Sequence, residues 1–212
     1  VVVANPPYMG SSTMNAGLAR FAQARYPESK ADLFAMFMER NLDLVAPCGL
    51  VAMITMQSWM FLSSFEKLRA RLLDQDTILA MAHLGPRAFD TISGEVVSTT
   101  AFVVERAQRL AHRGSFLRLV TGNNEADKES AMRANLPAPD NPLPASYYLA
   151  STADFKKIPG SPIAYWVSNA IRRSFETYPS LSLNFFSDGL TKTGDNDKFL
   201  RFHWEVARND GE

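Results

Sequence analysis

Cysteine and histidine are scarce in this chain of 212 residues. The single cysteine, Cys48, excludes a disulfide within the chain and any zinc cluster that is built on several cysteines. The three histidines lie far apart in the sequence and show no metal-ligand spacing. We therefore predict that the chain holds no metal.

An excess of charge of either sign is also absent, since 22 basic residues balance 22 acidic ones. The chain lacks the overall positive charge of a protein that binds DNA mainly by long-range electrostatic attraction. Any binding to a nucleic acid therefore has to come from local basic patches. No stretch approaches the roughly 20 uninterrupted apolar residues of a membrane span, and no secretory leader pattern opens the sequence. We expect a cytoplasmic protein without a membrane partner.

A glycine-rich turn between a strand and a helix, of the kind that seats a nucleotide cofactor, is missing as well. The sequence begins without methionine, inside a predicted strand. We therefore expect the C-terminal part of a larger protein whose cofactor-binding half lies upstream. On that expectation, this piece alone is catalytically inactive.

The most informative feature that is present is the tetrapeptide Asn5-Pro6-Pro7-Tyr8. The valine-rich residues 1–4 predict a buried strand, and the two prolines end it because neither donates a hydrogen bond to a neighbouring strand. Asn5 and the Pro6 carbonyl then offer acceptors for the two N–H groups of a planar amine, which favours the pyramidal geometry in which its lone pair attacks. Tyr8 offers a stacking surface, worth roughly 1–3 kcal/mol for a nucleic-acid base. The alternative interpretation is a strand followed by a proline-rich turn.

Strand and helix patterns alternate after the tetrapeptide. Residues 9–30 predict a lid with a short helix, and Ser29 with Asp32 predicts a capping box at the start of the next helix. Apolar runs at residues 50–56 and 78–83 predict strands, and the alternation indicates an α/β sheet. In the helix between these two strands, the pattern predicts that the basic residues face outward, and they are Lys67, Arg69 and Arg71.

The second half of the chain has a different pattern. Residues 96–104 predict a strand added antiparallel at the edge of the sheet, and residues 116–120 predict another strand. Residues 123–146 are charged and then proline-rich, which is typical of a linker or a loop between domains. We therefore divide the chain into a catalytic-domain portion at 1–122, this linker, and the start of a target-recognition domain at 147–212.

Other residues with useful chemistry are weighed against plainer roles. Phe89 follows the third strand, where a second aromatic ring would meet a base held by Tyr8, or else it is a core residue. We favour structural roles for Cys48 and His83. We also favour a solvated face over a phosphate-binding line for the basic cluster, which comprises Arg106, Arg109, His112, Arg113 and Arg118.

The order of these motifs resembles that of the adenine-N6 DNA methyltransferases over about residues 1–106. The matching motifs are Asn5-Pro6-Pro7-Tyr8, Asp32-Leu33-Phe34, Pro47-Cys48-Gly49, Met53-Ile54-Thr55 and the loop that contains Phe89. Within that class, residues 30–37, 56–64 and 94–97 are similar to the PglX family of methyltransferases from BREX (bacteriophage exclusion) systems. This closer similarity is specific because long runs of residues outside the motifs match, in addition to the motifs themselves.

The resemblance implies a fold, a cofactor and partners. The fold is the C-terminal half of a Rossmann-like class I methyltransferase sheet with helices on both faces, followed by the start of a smaller α+β target-recognition region. S-adenosylmethionine is the implied cofactor, held mainly upstream and bordered here by Asp32, Leu33 and Phe34. The implied partners are double-stranded DNA and other phage-defence proteins.

The resemblance also implies an activity and its residues. A target adenine swings out of the duplex, stacks on Tyr8 and donates its amino hydrogens to Asn5 and Pro6, while Phe89 contacts the base from another side. With Pro7, which completes the catalytic tetrapeptide, these residues would methylate adenine at N6 in one DNA sequence and so mark host DNA as self.

Two other functions remain open at this stage. The same tetrapeptide occurs in enzymes that methylate glutamine side chains of proteins or guanine in ribosomal RNA, because these also present a planar conjugated amine. Such enzymes usually end soon after the sheet, so the long tail of this chain favours DNA. A third interpretation is a non-catalytic recognition or assembly module in which the tetrapeptide is only a turn.

Overall fold

The computed structural model describes residues 1–89, 97–139 and 143–180. Its elements are, in chain order, β1 (Val2–Ala4), α1 (Ala16–Arg25), α2 (Leu33–Leu44), β2 (Leu50–Met56), α3 (Glu66–Gln75), β3 (Thr77–Gly85), β4 (Thr99–Glu105), β5 (Gly114–Arg118), α4 (Glu125–Ala134), β6 (Tyr147–Ala150), α5 (Thr152–Lys156) and α6 (Asn169–Thr177). The helices in these parts of the chain are too short or too polar to cross a membrane.

The six strands form one mixed sheet in the order β1-β2-β4-β3-β5-β6. Strands β1, β2, β3 and β5 run parallel to one another, while β4 and β6 run antiparallel to their neighbours. The predicted antiparallel strand is therefore present, but its predicted place at the edge is wrong, because β4 lies between β2 and β3. An apolar pattern shows that a strand is buried without showing which strands flank it, since long-range pairing sets the order.

Helices α2 and α3 cover one face of the sheet. Alternate residues of β2 point toward these helices, and Val51 and Met53 are buried there against Met38 and Leu42 of α2. Small apolar residues line a groove of about 590 Å³ on the opposite face, which Met132 of α4 borders. This layering confirms the predicted α/β class.

Helix α2 begins at a different cap from the one predicted. Asp32 is the N-cap and accepts a hydrogen bond from the Phe34 amide, whereas Ser29 donates to the carboxylate of Glu39 at 2.7 Å. The spacing of Ser29 and Asp32 fits a capping box, but residues 27–31 form turns rather than the first turn of the helix.

Arg69 was predicted to face outward and is instead 2% exposed. Its guanidinium donates to the carbonyls of Trp59, Leu62 and Gly160. Helical periodicity assigns a long basic side chain to the solvent because an isolated helix offers no buried acceptors, whereas here two neighbouring segments, at residues 59–62 and at Gly160, supply them.

Residues 123–146 differ from the predicted linker. They contain α4, whose Lys128 is buried and donates to the carbonyls of Leu84 and Leu119. Strand β6 then joins the same sheet beside β5, and the compact unit extends from Val1 to Glu176. Proline-rich composition indicated a boundary here, but the buried lysine and the strand pairing hold this segment to the sheet.

Several predictions fall on residues that the structure does not describe. These are the turn at Gly94, the similarity at residues 94–96 and the loop at residues 188–197. The role of residues 147–212 as the start of a target-recognition domain stays a prediction.

Candidate functional site

The carboxyl ends of the parallel strands place the candidate residues at one edge of the sheet. Asn5 follows β1, Gln57 follows β2, and His83 lies near the end of β3. Since parallel strands end on the same side, side chains that are far apart in sequence meet at this edge, which is where ligands bind in open α/β sheets.

The tetrapeptide follows β1, and its Asn5 side chain is exposed. Pro6 is buried, while Asn5 and Pro7 are exposed. Within the described residues, neither the Asn5 side-chain amide nor the Pro6 carbonyl has a hydrogen-bond partner. Two free acceptors therefore lie on consecutive residues, as the chemistry predicted for this motif requires.

Tyr8 is half-buried and packs against the start of α2. Its ring meets Phe34 nearly edge to face, with centroids 6.2 Å apart and planes at 85°. Its hydroxyl is buried and has no hydrogen-bond partner among the described residues, and burial raises the pKa of this phenol. The ring orientation is thus set by an aromatic contact, while the hydroxyl stays a neutral donor.

Asp32 ties the tetrapeptide loop to helix α2. Its carboxylate accepts the amide of Met9 at 3.0 Å and the amide of Phe34 at 3.2 Å, and the Leu33 amide donates back to the Met9 carbonyl. Burial raises the pKa of Asp32, and the bonds from these amides oppose that shift. The residue after Tyr8 is therefore anchored to the N-terminus of α2, a link that the sequence did not reveal.

The three residues predicted to border a cofactor lie directly beside this loop. Asp32 is 9% exposed and engaged with backbone amides, and Phe34 is fully buried beneath Tyr8. Only Leu33 is half-buried and retains accessible surface. Asp32 and Phe34 thus support the tetrapeptide, and contact with a cofactor stays a prediction.

Phe89 lies at the same edge but away from Tyr8. It is half-buried and follows the end of β3 by four residues. Because β2 and β4 separate β1 from β3, the two strand ends are about 14 Å apart. The described residues show no ring contact between Phe89 and Tyr8, so its role as a base contact stays a prediction.

His83 belongs to a buried polar and aromatic cluster that the sequence did not predict. Its Nε2 lies 2.6 Å from Gln57 Oε1 and its Nδ1 lies 3.0 Å from the Tyr165 hydroxyl. An amide oxygen only accepts, so Nε2 carries the proton and Nδ1 accepts from Tyr165. Both ring nitrogens are satisfied, which favours the structural role over proton shuttling.

The imidazole of His83 is expected to stay neutral and protonated at Nε2 down to about pH 5. Burial first, and then the nearby Arg118 and Lys128, lower its pKa from 6.5 to about 4. Because the unfolded chain binds this proton at higher pH than the folded chain, His83 lowers stability progressively as pH falls from 6.5 toward 4. Nitrogen-15 NMR titration of histidine-labelled chain measures this directly. A midpoint near 6.5 would contradict the arrangement.

The basic cluster predicted from residues 106–118 does not form one line. Arg106 donates to the Val45 carbonyl, Arg109 pairs with Glu105, and Arg113 donates to the Leu149 carbonyl. Arg118 instead lies 5.1 Å from the ring centroid of Trp166. These different partners agree with our preference against a continuous phosphate-binding line.

Comparison with known proteins identifies sequence relatives. Residues 1–89 match the family model of the Eco57I restriction-modification methylase. The chain is 47% identical over 209 residues to the adenine-specific methyltransferase BrxX of Escherichia coli O9:H4 strain HS, which covers 98% of this chain and 16% of that protein. It is 45% identical over 208 residues to the adenine-specific methyltransferase PglX of Lacticaseibacillus casei strain Zhang, covering 97% of this chain and 17% of that protein.

A solved structure shows the same fold at low sequence identity. The type IIG restriction endonuclease BpuSI superposes with a TM-score of 0.54 at 15% identity, over 81% of this chain and 21% of that protein. The chain spans about one sixth of the length of the curated relatives that it matches. Over nearly its whole length, this chain is homologous to one segment of the adenine-specific methyltransferases BrxX and PglX.

Proposed function

We propose that this chain forms the target-base half of the active site of a site-specific DNA adenine-N6 methyltransferase that marks host DNA as self in a BREX-type phage-defence system. One observation carries the proposal: two unpaired acceptors, on Asn5 and Pro6, precede a half-buried Tyr8 on a loop that Asp32 anchors. The names of the relatives BrxX and PglX support the same activity.

The tetrapeptide acts by holding the amine of a flipped adenine. Asn5 Oδ1 and the Pro6 carbonyl each accept one N6–H, which draws the lone pair out of conjugation with the ring. Tyr8 carries the base on its ring face, and stacking of this kind is worth roughly 1–3 kcal/mol. Flipping the base out of the duplex costs a few kcal/mol, so the stacking and the two hydrogen bonds together offset that cost.

S-adenosylmethionine is the methyl donor in this proposal, and it supplies an electrophilic methyl group. Asp32, Leu33 and Phe34 are proposed to border its site, beside the loop that starts at Asn5. Leu33 is the residue here with accessible surface beside that loop. The main motif that binds S-adenosylmethionine is proposed to lie in another part of the protein, outside this chain.

The substrate of the proposed reaction is double-stranded DNA, and other phage-defence proteins are proposed as further partners. The chain as a whole carries no net charge. The positive charge that binds the duplex is therefore proposed to come from local basic patches and from the rest of the protein. The amine-holding geometry serves a glutamine side chain or a guanine of ribosomal RNA equally well. Adenine is preferred because the relatives are named adenine-specific.

Sequencing of modified bases tests the proposal. Genomic DNA from a host that carries the full-length gene with its neighbouring genes is compared by long-read sequencing with DNA from the same strain lacking this gene. We expect N6-methyladenine at one discrete motif in the first strain and its complete absence from the second.

Two further readouts make the comparison decisive. Mass spectrometry of ribosomal RNA and of the proteome from the same cells reports guanine and glutamine methylation. Identical adenine patterns in the two strains would refute DNA methylation, and a gene-dependent change in either of the other products would replace it with that substrate.

A further inference from the structure

A cleft of about 580 Å³ with basic walls lies at the far end of the sheet from Asn5. We call it the basic cleft. Its walls come from β6, from the end of α5, from the segment before α6 and from α6 itself. The residues that matter for its chemistry are Arg113, Asp154, Lys157, Trp166, Arg172 and Arg173.

Positive charge is concentrated in the basic cleft although the whole chain is neutral. Four cationic side chains line it against a single carboxylate, that of Asp154. Within the described residues, the side chains of Lys157 and Arg173 form no hydrogen bond or close ion pair. Their charges are therefore available to an anion that enters the cleft.

Arg172 supplies a buried donor in the wall of this cleft. The residue is 5% exposed, and its guanidinium donates to the Tyr165 carbonyl at 3.1 Å and pairs with Asp154 at 3.2 Å. Its Nε–H is buried and has no acceptor among the described residues. A buried donor without a partner is costly, so an entering oxygen atom gains a hydrogen bond at no expense to an existing one.

Trp166 connects the basic cleft to the edge of the sheet that carries the tetrapeptide. Its indole is stacked on His83 with centroids 5.9 Å apart and lies 5.1 Å from the guanidinium of Arg118. The basic cleft is therefore continuous with the aromatic cluster at the carboxyl ends of β3 and β5.

The distance to the tetrapeptide suits one DNA molecule at both places. Strands β5 and β6 are four and five positions from β1 in the sheet, which corresponds to about 19–24 Å. Successive phosphates along one DNA strand advance by roughly 3.4 Å along the helix axis. The distance of about 19–24 Å is the separation across the strands alone, and a duplex with its adenine at Tyr8 is long enough to reach the basic cleft as well.

We propose that the basic cleft binds one phosphate group of the DNA backbone through Lys157, Arg172 and Arg173, and so fixes the position of the duplex relative to the tetrapeptide. This inference rests on the proposed function, because that function brings DNA to the neighbouring edge. A phosphate contact positions the duplex and carries no sequence information itself. The basic cleft contributes to affinity for DNA of any sequence and takes no part in the methyl transfer.

The test uses the full-length protein and a duplex that contains its methylation motif. Lys157 and Arg173 are changed together (Lys157→Gln with Arg173→Gln), and Arg172 is left intact because it supports the fold. The matched control is Arg40→Gln with Lys67→Gln, which removes one arginine and one lysine from exposed positions on α2 and α3.

Titrations over a range of salt concentrations are expected to separate the two variants. The cleft variant should bind DNA about tenfold more weakly, as for the loss of one charge-assisted hydrogen bond. The slope of log K against log salt should fall by about one. At saturating DNA, kcat should stay unchanged while KM for DNA rises. Equal affinity and slope in the cleft variant and the control would overturn the proposal.

Phosphate scanning locates the contact independently of activity. Each phosphate in turn is replaced by a neutral methylphosphonate, and the binding of wild-type protein and cleft variant is compared. We expect one position where the replacement weakens wild-type binding and leaves the variant unaffected. Identical profiles for both proteins would refute the site.

These readouts also distinguish the cleft from the proposed function. A phosphate position that depends on Lys157 and Arg173 in a protein that methylates no adenine would support the basic cleft and refute the methyltransferase proposal. Adenine methylation by a protein whose DNA binding does not depend on Lys157 and Arg173 would support the methyltransferase proposal and refute the basic cleft.

Discussion

Replacement of Asn5 by alanine in the full-length protein is expected to slow methyl transfer by roughly a hundred- to thousandfold, the typical cost of removing one preorganised hydrogen-bonding group from an active site. The side-chain amide of Asn5 is exposed and unpaired among the described residues, so its loss leaves the fold unchanged. The loss falls on kcat rather than on DNA affinity, because the second acceptor and the stacking surface of Tyr8 remain.

Two variants make this result specific. Asn5→Asp retains an acceptor oxygen and should recover part of the rate that Asn5→Ala loses. Asn15→Ala removes another exposed asparagine, which caps α1 by accepting the Leu18 amide. It should cost about 1 kcal/mol of stability and leave kcat close to that of wild type, because Asn15 has no part in holding the amine. Single-turnover methylation of a motif duplex measures all three. Full activity of Asn5→Ala would remove the amine-holding role from the tetrapeptide.

Replacement of Arg69 by methionine is expected to destabilise the region around α3 by about 3–5 kcal/mol. Methionine fills much of the same space but leaves the carbonyls of Trp59 and Gly160 without a donor, and the Leu62 carbonyl keeps only its bond from the Phe65 amide. Each orphaned buried group costs about 1–3 kcal/mol. Burial also lowers the pKa of Arg69, but the guanidinium remains charged at neutral pH and its hydrogen bonds are charge-assisted.

Hydrogen exchange of the full-length protein, followed by mass spectrometry, measures this loss locally. Peptides from α3 should exchange roughly a hundred to several thousand times faster in the variant, which corresponds to the expected fall in opening free energy. Lys67→Met changes an exposed cation on the same helix and should shift the opening free energy by less than about 0.5 kcal/mol. Equal exchange in Arg69→Met and Lys67→Met would show that the carbonyls of Trp59 and Gly160 find other donors.

The candidate site could be predicted from the sequence to the extent that it is local. The two acceptors and the aromatic ring lie within four neighbouring residues, and the run of valines before them predicted a strand. Its predicted burial is wrong, because β1 is an edge strand in which Val3 is 76% exposed. The anchoring of Met9 by Asp32 joins residues 23 positions apart. The spacing of Ser29 and Asp32 indicated a capping box. Only the folded chain shows that Asp32 itself caps α2 and that its carboxylate also accepts the Met9 amide.

The fold was predictable in the same local sense. The apolar run at residues 50–56 coincides with β2, although only alternate residues of this strand are buried and the others are half-buried. The place of β4 between β2 and β3 depends on pairing with residues from two separate segments. No pattern within β4 distinguishes a central position from an edge position, so the predicted edge position was wrong.

By itself the sequence determined the α/β alternation, the presence of the Asn5–Tyr8 motif after a strand, and the similarity of the chain to a segment of adenine-specific methyltransferases. These depend on side-chain type and short spacing, which the order of residues specifies directly. Only the tertiary structure decided that Arg69 and Arg172 are buried, that His83 is held between Gln57 and Tyr165, and that residues 113–173 enclose a basic cleft. The physical reason is that a buried cation or imidazole requires acceptors and packing partners from distant segments, and those partners become neighbours only when the sheet is assembled.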